Sequence, residues 1–155
     1  MEAAIRFFAD GTLIIILFIV AVAGLRYIWN RKDRISIISV VVMAGLTSLL
    51  IAKLVSLIYQ PTLARPFLEK GMTAGAAYID NPGFPSDHAL LATVAVAAIW
   101  WVTRDKKLAI FLAILAIVMC VARVMALVHT PFDVIGGIVL GLSGIFWYRK
   151  LPKNS

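Results

Sequence analysis

The chain has 155 residues, of which 62% are hydrophobic and 15% charged, and it carries a net charge of +7. A soluble domain averages roughly 45–50% apolar and about 25% charged residues, so an ordinary water-soluble globule is excluded. The basic residues gather at the ends of apolar runs and read as membrane anchors rather than a nucleic-acid surface, while the lone Cys120 excludes an intramolecular disulfide and implies no cysteine metal site.

Residues 1–11 (MEAAIRFFADG) are mildly amphipathic and predict a short interfacial segment. Five apolar runs follow and predict spanning helices at Thr12–Trp29, Ile35–Tyr59, Ser86–Thr103, Lys107–Val128 and Phe132–Lys150. Each holds about 18 to 25 residues, enough to cross roughly 30 Å of hydrocarbon at 1.5 Å per residue. The first run is read as a retained helix, because only Arg6 precedes it and no small-residue cleavage site follows. The expected fold is all-α: one polytopic transmembrane helix bundle over residues 1–155, with five spans and the N-terminal interfacial piece.

Charge orients this bundle. Arg31, Lys32, Arg34, Arg104, Lys106, Lys107, Arg149, Lys150 and Lys153 flank one set of helix ends, whereas Arg6, Arg65 and Lys70 are the basic residues of the other. The positive-inside rule makes the first set cytoplasmic, with the N-terminus outside and the C-terminus inside. Trp29, Trp147 and Tyr148 suit the cytoplasmic interface. The one long connection, residues 60–85, contains Pro61, Pro66, Pro82 and Pro85 and three glycines. A long loop in so economical a chain is more often functional than idle.

Three polar groups that a bilayer disfavours fall at the outer helix ends. They are Lys53 with Arg65-Pro66, then Pro85-Ser86-Asp87-His88, then Arg123 with His129 and Asp133. Helix counting alone puts all three on one side. Asp133 sits four residues after His129, and Pro131 suits the first turn of the helix between them. A carboxylate at that spacing can hold one ring nitrogen and leave the other free to attack. Arg123 offers a fixed fork for phosphate oxygens. Taken singly, Arg123 as a snorkelling residue and His129 as a helix cap remain open readings. Ser86 is an N-cap candidate at an anion-binding helix start, and His88 lies in the first turn beside it.

Phe84–His88 (FPSDH), Arg65-Pro66 and the Arg123-x5-His129-x3-Asp133 spacing resemble the three signature blocks of the type-2 phosphatidic acid phosphatase superfamily, over about residues 53–140. The resemblance implies a lipid phosphatase with a phosphohistidine on His129, supported by Asp133, and His88 as general acid. It implies Arg65, Arg123, Ser86 and nearby backbone amides as phosphate ligands, with no metal or other cofactor. The PSDH form is similar to the undecaprenyl-pyrophosphate phosphatase branch, implying hydrolysis of undecaprenyl pyrophosphate in cell-wall biogenesis, at the outer face of the plasma membrane. Phosphatidylglycerol phosphate, phosphatidic acid and a polyprenyl-phosphosugar phosphate are the alternative substrates.

The sequence departs from that pattern at four points. Ile58 stands where the first block usually has lysine, so Lys53 is expected to be the substitute phosphate ligand, with Lys70 second. Ala122 replaces the usual serine before Arg123. Asp87 replaces the glycine before His88 and, within the phosphate cradle, needs a cation beside it. The first of the family's usual six spans is absent from this five-span reading. The implied partners are a lipid phosphate or pyrophosphate and the bilayer, with no nucleic acid; oligomeric state is open. A non-catalytic lipid-phosphate carrier is the rival from another class, yet binding alone needs no histidine–carboxylate pair.

Overall fold

Each apolar run folds as a helix. The computed structural model describes residues 2–61, 64–81 and 83–151, so Pro82 and the anchor Lys153 lie outside it. The helices are α1 (Glu2–Ile28), α2 (Arg34–Ile58), the short α3 (Pro66–Glu69), α4 (Asp87–Thr103), α5 (Lys106–Met125) and α6 (Pro131–Lys150). There is no strand among the described residues. Four of these helices, α1, α2, α5 and α6, are long and apolar enough to cross a membrane, whereas the apolar α4 is shorter.

Helix α4 is the centre of the bundle and packs against α1, α2, α5 and α6. Its sequence explains the position. DHALLATVAVAA carries five alanines, and small side chains let neighbouring backbones approach closely. Leu90 and Ala92 are wholly buried. The outer helices carry the opposite pattern. Ile14, Phe18, Leu50, Ile117 and Ile135 all point outward with more than half their surface exposed. An apolar exterior of this extent suits hydrocarbon as the solvent.

Local chemistry sets the helix ends. Ser86 caps α4, accepting from the Ala89 N–H at 3.5 Å, and Asp105 caps α5, accepting from Leu108 N–H at 3.0 Å. Helix α6 starts with a capping box. The Thr130 hydroxyl accepts from the Asp133 N–H at 3.1 Å, and the Asp133 carboxylate accepts from the Thr130 N–H at 2.7 Å. Pro131 occupies the first helical turn, where its missing N–H has no consequence. Helix α5 ends at Met125, three residues before the expected Val128, because Leu127 takes a left-handed φ of 58° that no α-helix continues.

The N-terminus differs from expectation. Residues 2–11 are not a separate interfacial segment. They extend α1 by ten residues, through a π-helical turn at Phe7–Gly11. The physical reason is packing: Ala9 is fully buried in a cluster with Phe67, Ala122, Ala126 and Val128, and Asp10 is drawn to Arg123. An isolated amphipathic piece would leave both groups without those partners.

The glycines of α6 are used within the chain. A Cβ at Gly137 would lie 2.5 Å from the Ser86 carbonyl oxygen of α4, and one at Gly144 would lie 2.1 Å from the Ala44 carbonyl oxygen of α2. Ser48, wholly buried on α2, donates to the Gly141 carbonyl at 2.9 Å and accepts from the Gly144 N–H at 3.0 Å. Its hydroxyl enters the helical ladder where α6 tightens to a 3₁₀ form over Leu142–Lys150. These contacts fix α6 against α2 and α4, and so place the start of α6 beside the start of α4.

Candidate functional site

The chain brings its polar groups to one end of the bundle, where α2 and α5 finish and α4 and α6 begin. Backbone bonds tie the three sequence blocks together there. The Ser86 N–H donates to the Asp133 carbonyl at 2.9 Å, joining the starts of α4 and α6. The Phe67 N–H donates to Leu127 O and the Gly75 N–H to Ala126 O, each at 3.0 Å. The 60–85 loop is therefore anchored on the strained turn that precedes His129. Positive φ at a non-glycine residue persists where surrounding structure overdetermines it, and those two bonds supply that constraint.

His129 and Asp133 are buried, 4% and 2% exposed. The His129 Nδ1 faces Asp133 Oδ2 at 3.6 Å, an ion-pair distance rather than a hydrogen bond. Nδ1 and Asp133 Oδ1 have no hydrogen-bond partner. The capping box holds the carboxylate by its other oxygen, so Asp133 is aimed at the ring by the fold of α6 itself. With Nδ1 toward Asp133, Nε2 is the ring nitrogen free to act on a ligand. Burial lowers the His129 pKa below its ordinary value, with Arg123 and Arg65 pushing the same way against the nearby Asp133. A neutral imidazole keeps the lone pair that a nucleophile needs.

Arg123 is 2% exposed, two residues before the end of α5. One terminal nitrogen donates to Asp10 Oδ1 at 2.8 Å, while Nε is buried without a partner. Asp10 Oδ2 accepts from the Ala77 N–H at 3.0 Å. The half-buried His88 lies within electrostatic reach of Arg123, Asp10, His129 and Asp87. These groups form one cluster built from α1, α4, α5 and α6.

Like Arg123, the other expected phosphate ligands Arg65, Lys53, Asp87 and Ser86 have partners within the protein. Arg65, 4% exposed, donates through Nε to Asn81 O at 3.1 Å, through one terminal nitrogen to Ile79 O at 3.0 Å and Asn81 Oδ1 at 2.7 Å, and through the other to Val128 O. Four of its five N–H groups thus hold the loop to the residue before His129. Gly83, with φ of 105°, lies against the guanidinium, where a Cβ would approach to 3.5 Å. Lys53 Nζ pairs with Asp87 Oδ1 at 3.1 Å. The two departures from the family pattern therefore answer each other: the lysine one block away neutralises the extra carboxylate. Lys70 is exposed at the end of α3. The Ser86 hydroxyl caps α4.

Sequence reasoning missed two residues. Asp10 carried a signal, since a carboxylate at the edge of a long apolar run is a functional candidate by default. Thr130 carried another, the threonine three before an acidic residue that marks a capping box. Among the described residues no group of three or more His, Cys, Asp or Glu side chains converges in a way suited to a metal ion.

A family model described as the PAP2 superfamily matches residues 34–155. No curated protein and no solved structure matches the chain.

Proposed function

We propose that this chain, which belongs to the PAP2 superfamily, is an integral-membrane lipid phosphatase that converts a polyprenyl pyrophosphate, undecaprenyl pyrophosphate, to the monophosphate and free phosphate. The observation that carries the reading is the buried set Arg123, His129 and Asp133, with His88 beside it. A phosphate-binding protein needs the cations; a carboxylate that caps α6 and at the same time faces His129 Nδ1 is what an attacking imidazole needs for orientation and charge balance.

In the proposed reaction, His129 Nε2 attacks the terminal phosphorus in line. The N–P bond forms as the bridging P–O bond breaks, and His88 gives its proton to the leaving lipid phosphate oxygen. Asp133 stabilises the imidazolium character that develops. Arg123 and the remaining Arg65 N–H bind the equatorial oxygens, with the start of α4 and the Lys53–Asp87 pair at the rim. Water then attacks phosphorus with His88 as base, and the N–P bond breaks to release phosphate.

The lipid part has an apolar groove of about 680 Å³ between α4, α5 and α6 to occupy. Its lining runs from Met125 and Pro131, next to the His129 turn, to Trp100 and Trp101 at the far end of α4. At 1.5 Å per residue, Ala89 to Trp101 covers about 18 Å. Such a groove favours a substrate whose chain lies along the helices while its head group reaches the polar cluster. We take α4 as a fifth span and assign the basic ends to the cytoplasm, which puts the site on the outer face of the plasma membrane.

The test is phosphate release in detergent from a panel of polyprenyl pyrophosphates, phosphatidylglycerol phosphate and phosphatidic acid. His129→Ala is expected to abolish release while the protein stays folded. Appreciable turnover by that variant, or a preference for phosphatidic acid, would overturn the corresponding part of the proposal.

A further inference from the structure

Asp10 lies outside the segment that matches the family, which begins at residue 34, yet it makes a direct ion pair to the buried Arg123. The geometry of that pair decides its meaning. A guanidinium presents two edges. Its side edge consists of Nε–H and the N–H of the terminal nitrogen on the same side, Nη2; the other terminal nitrogen, Nη1, lies across the group. Asp10 Oδ1 takes Nη1 at 2.8 Å. Nε has no partner although it is buried. The Nε end of the side edge, the edge suited to two phosphate oxygens at once, is thus left without a protein partner.

We infer that Asp10 is a positioning residue: it locks Arg123 by one edge so that the Nε–Nη2 fork faces the phosphate seat. The inference rests on the phosphatase reading for what fills that seat. Several observations support it. Asp10 is itself fixed, because its second oxygen accepts the Ala77 N–H from the 60–85 loop at 3.0 Å. It lies within the π-helical turn at Phe7–Gly11, and such turns often mark functional sites. Neighbouring Ala9 is wholly buried, so the backbone that carries Asp10 is held against the bundle. The carboxylate also neutralises Arg123, which as an unpaired buried cation would be unfavourable. The N-terminal helix thereby completes a catalytic centre whose signature blocks all lie elsewhere.

The opposite reading is that the Asp10 carboxylate occupies the phosphate seat and must be expelled. The two differ in sign. Binding of orthovanadate, followed by calorimetry in detergent, needs no turnover and compares wild type with Asp10→Ala and the isosteric Asp10→Asn. Positioning predicts that Asp10→Ala weakens vanadate binding and lowers kcat/KM together by roughly 10- to 100-fold. The Asn variant, which keeps one of the two acceptor oxygens, should lose less. Asp10→Ala should also melt earlier because the buried Arg123 loses its partner, so binding and turnover are compared well below both melting temperatures. Tighter vanadate binding in Asp10→Ala would overturn the inference in favour of occlusion. Unchanged binding, or a loss explained by melting alone, would overturn it as well. Wild type that binds vanadate in an Asp10-dependent way yet releases no phosphate from any lipid would reject the enzyme reading and leave the positioning role intact.

Discussion

Gly137→Ala is the substitution in which packing and catalysis are most closely joined. Gly137 lies on the first two turns of α6, facing the first turn of α4. An added Cβ would stand 2.5 Å from the Ser86 carbonyl oxygen, 2.9 Å from the Ala89 Cβ and 3.2 Å from the Leu90 nitrogen. Ordinary contact begins at 3.4 Å, so relief of the worst clash requires the difference between 3.4 and 2.5 Å, about 0.9 Å of separation. Two of the three obstructing atoms are backbone, which cannot rotate away. Overpacking of this kind costs about 1–3 kcal/mol. The direction of the displacement matters more than its energy. It moves α4 from α6 beside His88 and the turn that carries His129, and a shift near 1 Å in reacting groups can cost roughly 100-fold in rate. The expected result is a kcat reduced about 10- to 100-fold with every catalytic side chain retained, measured as phosphate release in detergent beside a thermal melt. Gly24→Ala in α1 is the control, since nothing lies within 4 Å of its added Cβ; it should be neutral or slightly stabilising. Wild-type kcat and melting temperature in Gly137→Ala would refute this account of how the two helices fix the histidines.

Two further outcomes are expected. Lys53→Ala removes the partner of Asp87 and leaves an unneutralised carboxylate at the rim, so KM should rise by up to roughly fivefold, equivalent to about 1 kcal/mol for a partly exposed pair; Lys53→Ala with Asp87→Asn should recover most of it, and a double variant no better than the single would show that Lys53 contacts substrate directly. His129 should titrate below the ordinary histidine value of 6.5 because burial, reinforced by Arg123 and Arg65, disfavours its charged form. Asp133→Asn removes an interaction that raises the pKa, so the midpoint should fall further; a ring-resonance titration with His129→Gln for assignment checks both, and a midpoint at or above 6.5 would contradict the burial argument.

Much of the fold was legible because a bilayer makes apolar length itself a signal. The runs that became α2, α5 and α6 were bounded to within three residues, and proline at 131 marked the start of α6. The His129–Asp133 juxtaposition was legible for another reason: the two are four residues apart on one local structure, so spacing nearly determines geometry. What stayed hidden depends on contacts across the chain. Asp10 meets Arg123 over 113 residues of sequence, and nothing in either segment specifies the other. The role of Arg65 was hidden likewise, since three of its four acceptors are backbone carbonyls of residues 79, 81 and 128, which no side-chain pattern records.

These hidden contacts follow a common rule. A pocket that must take a multiply charged phosphate needs cations, but an empty pocket of bare, buried cations is electrostatically unfavourable. The chain resolves this by giving each positive group a partner that does not fill the pocket. Lys53 has Asp87, Arg123 has Asp10, and Arg65 has the loop carbonyls. The partners differ in what they leave free. Arg123 keeps its Nε–H, Arg65 keeps one N–H, and the Lys53–Asp87 pair sits toward solvent where it can separate at small cost. Phosphate affinity in this arrangement is therefore set less by the number of cations, which the sequence counts, than by how many of their donors the resting structure has already committed.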